Sequence, residues 1–209
     1  MPVTDLDGAR RALDAGGAVV LPNPAPLTHV VASARPDAVN TAKGRPADQP
    51  VALWAHHDDT WRSLAPSIAL DGPPAAFVRR LLTDELLTLL VPLRPEAPAW
   101  LAPASKDGWA LLFGARWTPL LPLLDRFPVL YVSSANTTGH PPAATTAEAT
   151  AMFAPTTPVL ALADSGPPVA RQATTTLRLH ADGTLDLHRH GAQDHPHPDA
   201  ADYLRRLRS

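Results

Sequence analysis

Proline interrupts this chain at short intervals: 25 of its 209 residues are proline and another 11 are glycine. Proline fixes its own φ and lacks an amide donor, so it ends helices and central strands wherever it falls. A chain so punctuated must be built from short elements. Proline and glycine together make up about a sixth of the residues, above the usual roughly 12 % but short of the roughly 25–30 % at which disorder is the default. With 45 % hydrophobic residues, the length suits one full-sized globular domain.

The short elements alternate in type. Thr4 suits an N-cap, with Asp7 three residues on, Leu6, Ala9 and Leu13 on one helical face, and Gly16-Gly17 as a stop. A strand over Ala18 to Leu21 then runs into Pro22, Pro24 and Pro26, which predict a stiff loop. Helix signals follow at Pro36 to Ala42, Asp58 to Leu64, Pro73 to Leu82, Thr118 to Arg126 and Thr146 to Phe153. Strand signals fall at Val51 to Ala55, Trp109 to Phe113, Val129 to Ser133 and Val159 to Ala163, and the apolar run Leu86 to Leu93 suits either state. Thr174 to His180 and Thr184 to His188, joined through Ala181-Asp182-Gly183, read as a hairpin. The pattern predicts a single α/β domain, an open twisted mixed sheet with flanking helices.

Charge and composition remove several classes of function. Eighteen Lys and Arg against 20 Asp and Glu leave a net charge of -2, without the basic excess of a general nucleic-acid binder. Anion binding must be local. Cysteine is absent, which excludes disulfides and thiolate chemistry. Met1 to Arg11 is polar and charged, and no run approaches the roughly 18 apolar residues of a membrane span. A cytoplasmic protein with no membrane partner is expected.

Two segments carry the chemistry. The first is Lys43-Gly44-Arg45-Pro46, notable because the chain has only two lysines, Lys43 and Lys106, against sixteen arginines. A lysine point charge beside an arginine fork suits a polyphosphate; the same residues also suit a solvated basic turn. The second is Ser133-Ser134-Ala135-Asn136-Thr137-Thr138-Gly139, at the end of a strand. Such groups hold phosphate or ribose oxygens in the crevice beyond the strand ends of an α/β sheet, and they also suit an ordinary Asx-rich turn.

Taken in order, Ala18 to Pro22, the KGRP turn with Gln49-Pro50-Val51, the SSANTTGHPP loop, Thr174-Thr175 and His188-Arg189-His190-Gly191 resemble the YrdC-like domain family of threonylcarbamoyl-AMP synthases. The resemblance implies a YrdC-like domain over residues 1–191 and a His- and Pro-containing tail over 192–209. It implies an enzyme that joins L-threonine, bicarbonate and ATP, with Mg2+, into threonylcarbamoyl-AMP and pyrophosphate, for adenosine modification in transfer RNA, with an RNA contact. Lys43 and Arg45 would hold the triphosphate, and Ser133, Ser134, Asn136, Thr174, Thr175, Arg189 and Arg116 would contact the nucleotide. An N-carboxylate attacks the α-phosphorus, so no side-chain nucleophile is required, only alignment and charge neutralisation. The family's proline-threonine-acid-threonine-x-tyrosine-glycine segment reads Pro22-Asn23-Pro24-Ala25-Pro26-Leu27-Thr28 here. The acid and both hydroxyls are gone, and Leu27 replaces the tyrosine. Asn23, Thr28 and His29 are left as polar groups for the acceptor pocket. This predicts a paralogue with another amino acid or amine as acceptor, or one that binds nucleotide or RNA without synthesis.

Four of nine histidines lie in His188 to His197, but the prolines there break helical spacing and no acid sits at a ligand interval, so no metal site is expected. His29 and His140, in the two loops nearest the expected crevice, each suit a general base, a polar contact or a plain loop residue. Of Trp54, Trp61, Trp100, Trp109 and Trp117, most are expected in the core, with one left to stack on a base. Leu204-Arg205-Arg206-Leu207-Arg208 reads as a solvated helix end rather than an RNA patch.

Overall fold

The computed structural model describes residues 3–70, 75–153, 156–162 and 169–208. In chain order the elements are β1 (Val3–Thr4), α1 (Leu6–Asp14), β2 (Val19–Leu21), β3 (Val30–Ser33), α2 (Pro36–Ala42), β4 (Ala52–Trp54), α3 (Asp58–Leu64), α4 (Ala75–Thr83) and β5 (Thr88–Pro92). Then come β6 (Ser105–Lys106), β7 (Trp109–Phe113), α5 (Leu121–Leu124), β8 (Tyr131–Ser134), α6 (Thr146–Phe153), β9 (Val159–Leu160), β10 (Thr176–Leu179), β11 (Leu185–Arg189) and α7 (Ala200–Arg208). The expected alternation holds in outline, with β1, β3 and β6 added to the elements expected, and the ambiguous run Leu86 to Leu93 contains a strand. Two expectations, Pro73-Pro74 opening α4 and Ala163 ending β9, lie outside the described residues. The first helix is capped one residue later than expected: the Asp5 carboxylate, not Thr4, accepts from the Gly8 amide at 2.8 Å.

All the strands join one mixed sheet in the order β1-β9-β2-β3-β8-β4-β7-β5-β10-β11, with β6 paired to β7. The pairs β4 with β7 and β5 with β10 are parallel, whereas β3 with β8, β8 with β4 and β7 with β5 are antiparallel. Period-two alternation sends Val31, Leu53, Leu89, Leu112 and Leu177 to one face, where α2, α3, α4, α6 and α7 cover them. Val30, Ala52, Phe113 and Val132 face the other way. That second face is covered over part of its width by Leu13 of α1 and Leu123 and Leu124 of α5, and the uncovered part is where the cleft forms.

The segment after Gly191 is not a solvated tail. Tyr203 and Leu207, four apart and so on one face of α7, are fully buried. The Ala192 amide donates to Ala173 O at 2.9 Å, and the Gln193 amide side chain donates to Leu86 O at 2.8 Å. Gly191 makes this docking possible, since a Cβ there would stand 2.3 Å from the Thr175 nitrogen. Among the described residues no helix is long and apolar enough to cross a membrane.

Candidate functional site

A cleft of about 250 Å³ lies over the open face. Val30, Val132, Ala52, Leu111, Phe113 and Thr88 form its floor, and Asn23, Thr28, Arg45, Ser133, Ser134, Thr174 and Arg189 supply polar groups around it. It does not sit beyond a common row of strand C-termini, as a parallel sheet would dictate, because the central neighbours run antiparallel. It opens where the β8–β4 ladder stops at Ala52 opposite Val132. Beyond that point Val51 turns away to donate to Pro103 O at 3.1 Å.

The basic turn is shaped by its glycine. Helix α2 ends with Gly44 at φ +65, the left-handed conformation glycine adopts without steric cost. The Gly44 amide then donates to Thr41 O at 3.0 Å and the Arg45 amide to Asn40 O at 3.0 Å, which is a Schellman closure. The turn brings Arg45 to the cleft, where its Nη2 donates to Ser133 Oγ at 3.4 Å. Lys43 is almost wholly buried and does not line the cleft itself. Its Nζ donates to Ser134 O and, at 2.8 Å, to Asn136 Oδ1, which also accepts from Ser134 Oγ at 2.6 Å. Burial, and next the charge of Arg45, hold the lysine down at about 7. Burial also lowers Arg45 from its ordinary value.

Across the cleft, Arg189 Nη2 donates to Thr174 O at 3.2 Å. Thr174 and Thr88 share a hydroxyl–hydroxyl bond of 2.6 Å. Among the described residues no carboxylate forms an ion pair with Lys43, Arg45 or Arg189. Two arginines at the hollow and a lysine behind it, without an internal anion among the described residues, leave a site suited to an anionic ligand.

Several expected site residues lie elsewhere. Thr175, just before β10, points away from the cleft: its Oγ1 donates to Asp194 Oδ1 at 2.6 Å and accepts from the Asp194 amide at 3.1 Å. Arg116 is half-buried and absent from the lining. His29 lines a second cavity of about 200 Å³ behind the Pro22–His29 loop, together with Trp117, Thr146 and Arg171, and Asn23 is the wall common to both. Leu27 turns into the core. His140 bonds within its own loop, to Thr137 Oγ1 at 3.2 Å. None of the five tryptophans lines the cleft; Trp109 instead lies under the Arg178 guanidinium at 5.0 Å. The residues missed from sequence are Thr88, whose signal was a lone hydroxyl in an apolar run, and Asn40, a buried amide on the apolar side of α2.

Burial, and next the charge of Arg171, hold His29 down at about 4. The unfolded chain therefore binds a proton between about pH 6.5 and 4 that the native state refuses, and stability falls as pH drops through that window. At 1.36 kcal/mol per unit of difference, His29→Leu is expected to remove on the order of 3 kcal/mol of acid sensitivity, read as the urea midpoint at pH 4 against pH 7. An equal acid loss in the variant would show that His29 is not its source.

Neither a protein-family model nor a curated protein matches the chain. Solved structures do. P. abyssi Sua5 complexed with L-threonine superposes with a TM-score of 0.67 at 19% identity, over 89% of this chain and 54% of that one. E. coli YciO gives 0.66 at 14% identity, over 90% and 89%. Full-length HypF in its phosphate- and nucleotide-bound form gives 0.64 at 16%, over 95% and 30%. The chain has a YrdC-like fold. It spans about half the length of P. abyssi Sua5, and at these identities the likeness is one of architecture. Within this YrdC-like frame, Arg45, Ser133, Ser134, Thr174 and Arg189 come together around one cleft, while Lys43 and Asn136 stand immediately behind it.

Proposed function

We propose that the cleft binds the phosphates of ATP and forms a carbamoyl-adenylate from bicarbonate and an amine. The observation that carries this reading is the trio Lys43, Arg45 and Arg189, which meets no carboxylate among the described residues and stands beside the hydroxyls of Ser133, Ser134 and Thr174. The YrdC-like fold supports it, since HypF of that fold is described with phosphate and nucleotide bound and Sua5 with L-threonine. The amine and bicarbonate give an N-carboxylate and water. The N-carboxylate oxygen attacks the α-phosphorus, and pyrophosphate leaves with the bond electrons. Arg45 and Arg189 align the phosphates and offset their charge, so the chain needs no nucleophile of its own. The described lining carries no carboxylate, so Mg2+ would be held chiefly by the polyphosphate and water, with the hydroxyls of Ser133, Ser134 and Thr174 as the protein oxygens within the cleft, and it would offset phosphate charge. A cytoplasmic setting, with ATP and bicarbonate at hand, goes with this reading.

The acceptor is the altered part. Asn23 and Thr28 are the polar groups of the Pro22–His29 loop that line the cleft, and Leu27 gives it none. A site lacking partners for the ammonium, carboxylate and hydroxyl of threonine rejects it, because buried polar groups are left unpaired. Pyrophosphate release from ATP and bicarbonate, measured across a panel of amino acids and amines, is expected with an acceptor other than threonine. Threonine turnover at an ordinary rate of about 1 per second or more would overturn the altered-acceptor reading. Tight nucleotide binding without release for any amine would favour a non-catalytic module, with an RNA end as the ligand to try next.

A further inference from the structure

We infer that Asn40 is a positioning residue that holds Arg45 at the cleft while leaving its charge free for the ligand. The inference rests on reading the cleft as an anion site. Asn40 is fully buried in α2, where an amide is costly unless its polar atoms are bonded. Its Oδ1 accepts from Arg45 Nε at 3.0 Å, and its Nδ2 donates to Ala47 O at 3.0 Å and Gln49 O at 2.7 Å. Its backbone carbonyl accepts from the Lys43 and Arg45 amides at 3.1 and 3.0 Å. One residue thus closes the whole Lys43–Gln49 turn, and through Gln49 it sets Pro50 and Val51, which line the cleft.

The amide supplies one acceptor oxygen and two N–H donors, which is what Arg45 Nε and the Ala47 and Gln49 carbonyls require together. Leucine would fill the space and release the guanidinium. Aspartate would keep the acceptor for Nε, lose both donors, and put a carboxylate against Arg45, cancelling the charge the ligand needs. With Nε taken by Asn40, the Nη end of the fork is left, and among the described residues it meets only Ser133 Oγ at the long distance of 3.4 Å. The two Nη groups form one of the edges through which a guanidinium can bind an anion bidentately.

The full-length protein and the variants Asn40→Ala, Asn40→Asp, Arg45→Ala and Asn40→Ala/Arg45→Ala are compared by two readouts. In NMR spectra the Arg45 Nε–Hε signal should exchange slowly in the wild type and be lost in Asn40→Ala. Equal exchange in both would overturn the contact. By calorimetry with inorganic pyrophosphate, Asn40→Ala should weaken binding about five- to tenfold, the cost of ordering one freed arginine, and Asn40→Asp should weaken it further. In the Arg45→Ala background the added loss should vanish to within about twofold, the scatter of additive measurements, because the two residues act as one unit. An Asn40→Ala protein that binds as the wild type does, or that loses as much without Arg45 as with it, would reduce Asn40 to a structural role. A wild type that binds no pyrophosphate would overturn the anion reading, separately from the Arg45 signal. Where Asn40→Ala does not fold, Asn40→Ser provides the same comparison.

Discussion

Replacing Lys43 and Arg45 together by alanine is expected to weaken ATP binding by more than tenfold, and by about a hundredfold if each cation contributes the lower end of the roughly 1.5–3 kcal/mol of a charge-assisted contact. Arg45 lines the cleft, and Lys43 acts from behind it through the Ser134–Asn136 loop. The two losses are therefore of different kinds. Arg45→Ala removes a direct donor from the cleft and also takes the Nε partner from the buried Asn40 Oδ1, so a modest fall in melting temperature should accompany the lost affinity. Lys43→Ala takes the lysine donor from Ser134 O and one of two donors from Asn136 Oδ1, so part of its effect should appear as a loosened loop and a lower melting temperature. Calorimetric titration of each folded variant with ATP separates them, and an affinity unchanged in the double variant would remove the cleft as the nucleotide site.

Raising the pH from 7 to 9 is expected to weaken ATP binding by up to about a hundredfold, tenfold for each unit in which a proton must be taken up. The sign follows from Lys43, which in the free protein is held near 7 by burial and by Arg45. A phosphate bound nearby offsets both causes by supplying an opposite charge, so the pKa rises on binding. Between about 7 and the raised value, binding takes up a proton, and affinity falls as pH rises through that window. Phosphate itself has its last ionisation near about 6 and adds little above neutrality. Titrations at pH 8 in buffers of different ionisation enthalpy should report the uptake of close to one proton, and Lys43→Met should abolish it. Pyrophosphate turnover, if limited by binding, should follow the same pH dependence. A wild type with no proton uptake at pH 8 would show that Lys43 stays charged throughout.

Local chemistry made much of this fold legible. The proline opening α2, the Asp58 to Leu64 and Thr146 to Phe153 helices and the Trp109 to Phe113 strand have the bounds their sequence signals predict, because proline at a first turn and apolar periodicity act over a few residues. The Lys43-Gly44-Arg45 turn was legible for the same reason, since a glycine closing a short helix needs no distant partner. The run Leu86 to Leu93 was not, because an apolar stretch of that length satisfies a buried strand or a helix equally, and pairing with β7 and β10 decided it. The C-terminal segment misled on average polarity. Its arginines are exposed, but Tyr203 and Leu207 recur at helical spacing and are fully buried.

The candidate site divides along the same line. Sequence alone placed a lysine, an arginine, a serine–asparagine loop and a threonine pair in one chain, and turn chemistry specified the first of these. Only the tertiary structure decided that Arg45 enters the cleft while Lys43 turns to Ser134 and Asn136, some ninety residues away. It also decided that Thr174 faces the cleft and Thr175 the docked C-terminal segment, and that His29 is enclosed behind its loop. Turns and periodicities are fixed by neighbours a few bonds away. Burial, the partner of a buried cation and the resulting shift in its pKa depend on which distant segments exclude water from it, and strand order alone sets that.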